Sequence, residues 1–310
     1  MQFSYFYIDE LDAESTLKYD IFISAFDGCE RTLSTYNRVY SPNKKWIIFP
    51  QYVYNGDIDV PDGLYSDKTD EGEFILDVIE SLDIKKSSKV CIDCTGFLVP
   101  HLLFLIRFLQ RKGIYKFDIL YSEPVSYVKG EDTVFTMNSN APRPIGGYST
   151  SARNINGDDA LIIFAGFNNQ LITNVARDKS KARYKTLFTG FPSLQADMYQ
   201  QNLVQLYKSK ETIGVTNVEY KMAPAYDPFT AADKLQNVIV SFMNTCSNVG
   251  YIHIAPLSTK PMAIASALVY LYNENLPIDI IYPPSDIYFY GHAIGIKRTW
   301  RYVIELPKIL

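Results

Sequence analysis

The sequence predicts an α/β fold with mainly parallel sheets, helices on both faces and two lobes, and three observations predict it. Short runs rich in Ile, Val, Phe and Tyr alternate with longer stretches of helical character along the chain. Most of these runs are apolar on both faces, as strands covered by helices on both sides are. Several helical stretches begin after Asp, Ser, Thr or Pro, and Gly113 closes one of them, as helix ends require.

In chain order, residues 19–26 read as a strand and 29–39 as the helix after it. A strand at 45–49, a helix at 71–82, a strand at 89–93, a helix at 100–112 and a strand at 117–121 continue the alternation. Residues 129–160, "KGEDTVFTMNSNAPRPIGGYSTSARNINGDDA", mix Pro, Gly, Asn and Ser with only a short apolar run. They read as an exposed hairpin or connector. A boundary near residue 155 follows, with lobes at 1–155 and 156–310; the alternative is one continuous sheet carrying an inserted ribbon. Beyond it come a strand at 160–165, a helix at 170–178, a strand at 184–189 and a helix at 196–209. The series closes with a strand at 218–222, a helix at 230–245, a strand at 251–255, a helix at 261–273 and strands at 278–282 and 299–306. No repeat of fixed period is visible.

Composition narrows the function. The 310 residues are 47% hydrophobic and 21% charged, an ordinary globular balance. Net charge is −4 and no run of Lys or Arg exceeds two, so neither a nucleic-acid duplex nor an anionic membrane surface is the expected partner. A small ligand fits better. The apolar runs stop short of the ~20 residues a membrane span needs. The start, "MQFSYFYIDELDAE", is acidic and aromatic where a leader is basic and then apolar, so the expected location is cytoplasmic.

Cys29, Cys91, Cys94 and Cys246 are too scattered for a disulfide framework. No second Cys or His pair accompanies "CIDC" at zinc-like spacing, and His101, His253 and His292 stand apart, so no metal centre is expected.

The motifs that carry chemistry lie where strands end. "IDCTGF", "IIFAGF" and "TLFTGF" each bring an apolar strand to a small residue, then Gly, then Phe, placing Thr95, Gly96, Gly166 and Gly190 beside the strand ends. Glycine there admits either a ligand or a neighbouring backbone. Asn168 in "GFNNQ" follows the second of these. None matches the Gly-x-Gly-x-x-Gly fingerprint of dinucleotide sites, and no particular cofactor is implied.

The stretch "GYIHIAPLSTKPMAIASALVYLY" runs a strand through Ser258, Thr259 and Lys260 straight into a helix opened by Pro261. Two readings stand. The loop is an anion cradle, with the helix dipole, two hydroxyls and an ammonium around the ligand, or it is a Ser/Thr cap with an exposed lysine. It is not a Walker A loop.

Acid–base candidates are Asp27 and Glu30 at a strand-to-helix turn and Asp227 in "AYDPF". The structural alternatives are a helix cap on Asp27 with Glu30 as its capping-box partner, and a turn at Asp227. The aromatic segment "DIYFYGHAIGIKRTWRYVIELP" carries Tyr288, Phe289, Tyr290, Trp300 and Tyr302 beside Lys297, Arg298 and Arg301. It suits base stacking with Arg298 on a phosphate, an edge strand packed on its neighbour, or a homodimer or partner interface.

"IAPLSTKPMAIASAL" resembles the strand–Gly-Gly-Thr-Lys–helix element of CRISPR-associated Rossmann-fold sensor domains, with Leu257 and Ser258 where that family has paired glycines. The resemblance implies Rossmann-like sheets, a cyclic oligoadenylate or related nucleotide signal, contact through Thr259 and Lys260, and a role in prokaryotic defence. A second likeness, of "YDIFIS" to the first strand of Toll/interleukin-receptor domains, implies a family some of whose members cleave NAD. Three functions remain open: a nucleotide sensor using 258–260, an enzyme on a nucleotide or sugar phosphate using Asp27, Glu30 and Asp227, and a scaffold binding a partner chain through its aromatic segment.

Overall fold

The computed structural model describes residues 2–12, 15–54, 60–127, 136–151, 154, 156–289 and 291–309. Among them are eight α-helices arranged around two large sheets, both largely parallel. The chain divides into two compact units. We call Phe6–Asn138 with Ser285–Leu310 the first unit, and Met1–Tyr5 with Ser139–Pro284 the second.

The first unit holds a seven-stranded sheet in the order Ile8–Glu10, Arg298–Glu305, Lys116–Glu123, Val90–Asp93, Ile21–Ala25, Asn43–Ile48, Gly63–Tyr65. The last five of these run parallel. Every residue of Ile21–Ala25 and Val90–Asp93 is buried, which is why neither shows an alternating pattern. Helix Val99–Arg111 buries ten of its residues. Phe49 joins the layers, with ring centroids 5.1 Å from Phe74 and 5.7 Å from Phe97. Arg298–Glu305 lies antiparallel to Lys116–Glu123, from Arg298 opposite Glu123 to Glu305 opposite Lys116. It is an inner strand, because Ile8–Glu10 covers its other side, and Tyr302 is fully buried in it.

The second unit holds a six-stranded sheet in the order Arg143–Ser149, Ile278–Tyr282, Val249–Pro256, Asp158–Phe164, Tyr184–Gly190, Val218–Ala223. Only Arg143–Ser149 is antiparallel to its neighbour. Helix Lys260–Tyr272 buries eleven of thirteen residues. Ala263, Ala265, Ser266 and Ala267 make it narrow enough to pack closely beside Pro228–Thr245. His253, isolated in sequence, is buried with its Nδ1 2.6 Å from Asp279 Oδ1. Part of the segment expected as a hairpin or connector is therefore sheet: Arg143–Ser149 buries Ile145 and Tyr148. The boundary near residue 155 falls outside the described residues.

The two sheets share one plan. If the five parallel strands of each are numbered in chain order, both read 3-2-1-4-5, with an antiparallel strand beside the fifth. In each, chain direction along the sheet reverses between strands one and four. Those pairs are Ile21–Ala25 with Val90–Asp93, and Asp158–Phe164 with Val249–Pro256.

Candidate functional site

Loops leaving the carboxyl ends of neighbouring strands splay apart where the strand order reverses, and ligands of open α/β sheets bind there. In the second unit this rim is knitted tightly. Gly166 follows the first strand, and a Cβ placed on it would stand 2.0 Å from the Leu257 carbonyl oxygen and 3.2 Å from the Ser258 Cα. Its glycine therefore serves the close approach of two backbones. Thr259 is the N-cap residue of Lys260–Tyr272, but its hydroxyl makes no cap; it donates to the Ala225 carbonyl at 2.6 Å, tying the fourth strand's loop to the third's. Gly190 sits on the same rim, with the position of a Cβ 3.1 Å from the Ala225 Cβ.

Two further strand-following helices of this rim, Asn169–Asp178 and Pro228–Thr245, are closed by side chains. Asn168 Oδ1 accepts from the N–H groups of Gln170 at 3.0 Å and Leu171 at 3.3 Å. Asp227 accepts from the N–H groups of Phe229 at 2.9 Å and Thr230 at 3.0 Å, and from the Thr230 hydroxyl. Like Met198–Lys208 further along the rim, Lys260–Tyr272, at the reversal point, is left without a side-chain cap. A fourth residue joins it. Asn202, 5% exposed, donates through Nδ2 to the carbonyls of Ala165 at 2.9 Å and Gly166 at 2.8 Å. Its Oδ1 is buried with no partner. The arrangement offers an anion the positive end of a thirteen-residue helix, the half-buried Ser258 hydroxyl and the Lys260 ammonium.

The equivalent rim of the first unit is a buried polar network. A Cβ on Gly96 would stand 2.3 Å from the Ala25 carbonyl oxygen, so a glycine again lets the central loops meet. Asp93, with no exposed surface, accepts from the Ser24 hydroxyl at 2.9 Å and the Thr95 N–H at 3.0 Å. Burial nevertheless pushes its carboxyl up to about 6, the hydrogen bonds from Thr95 and Ser24 opposing the rise. Thr95 Oγ1 accepts from the Ser122 N–H at 3.0 Å.

Asp27 Oδ1 accepts from the Cys29 N–H at 3.0 Å and the Thr32 hydroxyl at 2.6 Å, while the Cys29 thiol points at its Oδ2 from 3.1 Å. Burial and this carboxylate raise the thiol to about 11, which keeps it protonated. Cys29 is the N-cap residue, so Glu30 occupies the first helical position, exposed, and no capping box forms. Arg31 donates Nη1 to the Ser122 carbonyl at 2.9 Å, and its Nε is buried without a partner. Arg298 opens its strand opposite Glu123, 3.8 Å from Glu10.

The predicted residues thus divide between the units. Asp27, Glu30, Thr95, Gly96 and Arg298 belong to the first; Gly166, Asn168, Gly190, Asp227, Ser258, Thr259 and Lys260 belong to the second. The aromatic segment packs inward, with Tyr288, Trp300 and Tyr302 buried and Trp300 Nε1 donating to Glu123 Oε1 at 2.6 Å; Tyr290 lies outside the described residues. Among the described residues no cluster of three or more His, Cys, Asp or Glu side chains is placed to hold a metal, and no helix is long and apolar enough to cross a membrane. Asn202 is absent from the sequence-based candidates because a polar residue on a helix carries no motif. No known protein family matches the chain, and no curated protein matches it.

Proposed function

We propose that this protein is a nucleotide-binding sensor or regulatory component, which takes a small anionic ligand at the rim of the second unit, where strand order reverses between Asp158–Phe164 and Val249–Pro256. The observation that carries the reading is the start of Lys260–Tyr272. It lies at the reversal point itself, and its N-cap hydroxyl is turned away to Ala225, so its first amides are left without a side-chain cap. The 3-2-1-4-5 strand order, the Rossmann-like arrangement, supports a nucleotide as the class of anion, since doubly wound sheets bind mono- and dinucleotides at this place. In the bound state the helix amides and Lys260 meet a phosphate, Ser258 donates to it, and the Asn202 carboxamide oxygen accepts from a donor of the ligand.

The geometry favours binding over acid–base catalysis. Asp227 already accepts three hydrogen bonds as a cap, and Asp27 is engaged by Cys29 and Thr32. The test is a thermal-shift and calorimetry screen against mononucleotides, NAD, sugar phosphates and cyclic oligoadenylates. A ligand at ~100 times its dissociation constant stabilises the native state by about 2.7 kcal/mol, a rise of several degrees. The expected result is one responding class whose shift is lost in Lys260→Ala. An equal shift in that variant, or none in the wild type, overturns the assignment.

A further inference from the structure

The outermost strand of the six-stranded sheet, Val218–Ala223, is paired on one side only among the described residues. An open edge presents unpaired N–H and C=O groups to any chain able to match them. Here Glu219, Tyr220, Lys221 and Met222 are all exposed, Tyr220 by 61% and Met222 by 44%.

Both the backbone and the side chains of this edge have a defined sense. The carbonyls of Asn217 and Ala223 are taken by the N–H groups of Lys185 and Phe191, in or just beyond the neighbouring strand. The alternation of a strand then turns the backbone groups of Glu219 and Lys221 inward and those of Val218, Tyr220 and Met222 outward. Side chains alternate too. Glu219 and Lys221 share a face, where Lys221 Nζ lies 2.5 Å from Glu219 Oε1, and Val218, Tyr220 and Met222 share the other.

We propose that Val218–Ala223 pairs antiparallel with the same strand of a second copy, Tyr220 opposite Tyr220, to form a closed two-fold dimer. In that register Val218 faces Met222 and Glu219 faces Lys221, in both directions. Every outward N–H and C=O of Val218, Tyr220 and Met222 meets an outward partner. Glu219 and Lys221 fall at the non-hydrogen-bonded positions, where opposed side chains come closest. Apolar side chains meet apolar ones on one face, and opposite charges meet on the other. A slip to either adjacent hydrogen-bonding register sets Glu219 against Glu219 or Lys221 against Lys221, so charge selects the register. The segment is complementary to its own reversal, which is what a two-fold interface demands of a single strand. That property favours a second copy over a foreign strand.

The experiment is sedimentation of the full chain over a concentration series. The wild type is expected at twice the 35.4 kDa of one chain. Glu219→Lys and Lys221→Glu each place like charges opposite one another and weaken the dimer at least about tenfold. An equimolar mixture of the two restores opposite charges at both positions and recovers the wild-type mass. Tyr220→Pro removes an outward N–H that the protein's own sheet does not use, and gives a monomer with an unchanged far-ultraviolet spectrum. The proposal is overturned by a wild type of single-chain mass throughout, by a dimer that persists in all three variants, by a mixture that stays monomeric, or by open-ended assemblies.

Discussion

Asp93→Asn should stabilise the protein at neutral pH and leave its stability unchanged in acid. Asp93 has no exposed surface, and its carboxyl is raised from 3.8 to about 6. Below pH 3.8 native and unfolded chains both hold the proton. Between 3.8 and about 6 the native state keeps a proton that the unfolded state releases, so stability falls as pH rises through this window. Above it the buried carboxylate destabilises the native state by about 3 kcal/mol, taking ~1.4 kcal/mol for each of roughly two pH units. Asparagine is nearly isosteric and neutral at every pH. Its carbonyl oxygen accepts from the Thr95 N–H, and the Ser24 hydroxyl rotates to accept from its amide. Urea unfolding of both proteins from pH 3.5 to 8 gives the difference directly, free of the other carboxylates that titrate in the same range. It should be near zero at the acid end and reach about 2–3 kcal/mol in favour of the variant by pH 7. A difference that does not change with pH, or a variant less stable at pH 7, refutes the argument that burial sets this carboxyl.

Three further outcomes follow from the two rims. Gly166→Ala places a methyl 2.0 Å from a backbone carbonyl that no rotamer change can move, so its cost in urea unfolding should reach or exceed about 3 kcal/mol. Gly96→Ala, at 2.3 Å from the Ala25 carbonyl, should behave alike in the first unit, which differential scanning calorimetry would record as a lowered Tm. Asp227→Ala removes the cap of Pro228–Thr245 and should cost about 1–2 kcal/mol in chemical unfolding, with no loss of any ligand-induced shift.

The elements of the two cores were legible because their signals are local. Residues 278–282 were expected as a strand and are one, since "IDIIY" is apolar enough to be buried at every position. The helix expected at 29–39 runs Glu30–Arg38, and that expected at 261–273 runs Lys260–Tyr272. Of the strands at the margins of the two large sheets, Val218–Ala223 was expected at 218–222, while others were hidden by their composition. Arg143–Ser149 contains Pro144, Gly146 and Gly147, residues that argue against a strand anywhere but an edge. Gly63–Tyr65, only three residues long, carries too little pattern to read.

Of the site, the positions at strand ends were legible, and their commitments were not. The spacing of Asp227 before Pro228 fits a base or a turn residue equally, and only the N–H groups it accepts from show it to be a cap. "TGF" and "AGF" at Gly96 and Gly166 left open whether ligand or backbone comes close, and the nearby carbonyls of Ala25 and Leu257 answer it. Asn202 depends on a loop 36 residues earlier in the chain, a distance no local pattern spans.

The inner position of Arg298–Glu305 has a consequence for biosynthesis. Its first-unit neighbour is made long before it, with Lys116 and Glu305 separated by 189 residues. At 5–20 residues per second a ribosome needs roughly 10–40 s to cover that interval. During this time Lys116–Glu123 waits with an unpaired margin, while Ser139–Pro284 emerges and can close its own sheet. The first unit, whose Phe6–Asn138 is made before Ser139–Pro284, is therefore completed after that segment, and the nascent chain must protect a hydrophobic strand margin until Arg298–Glu305 has emerged.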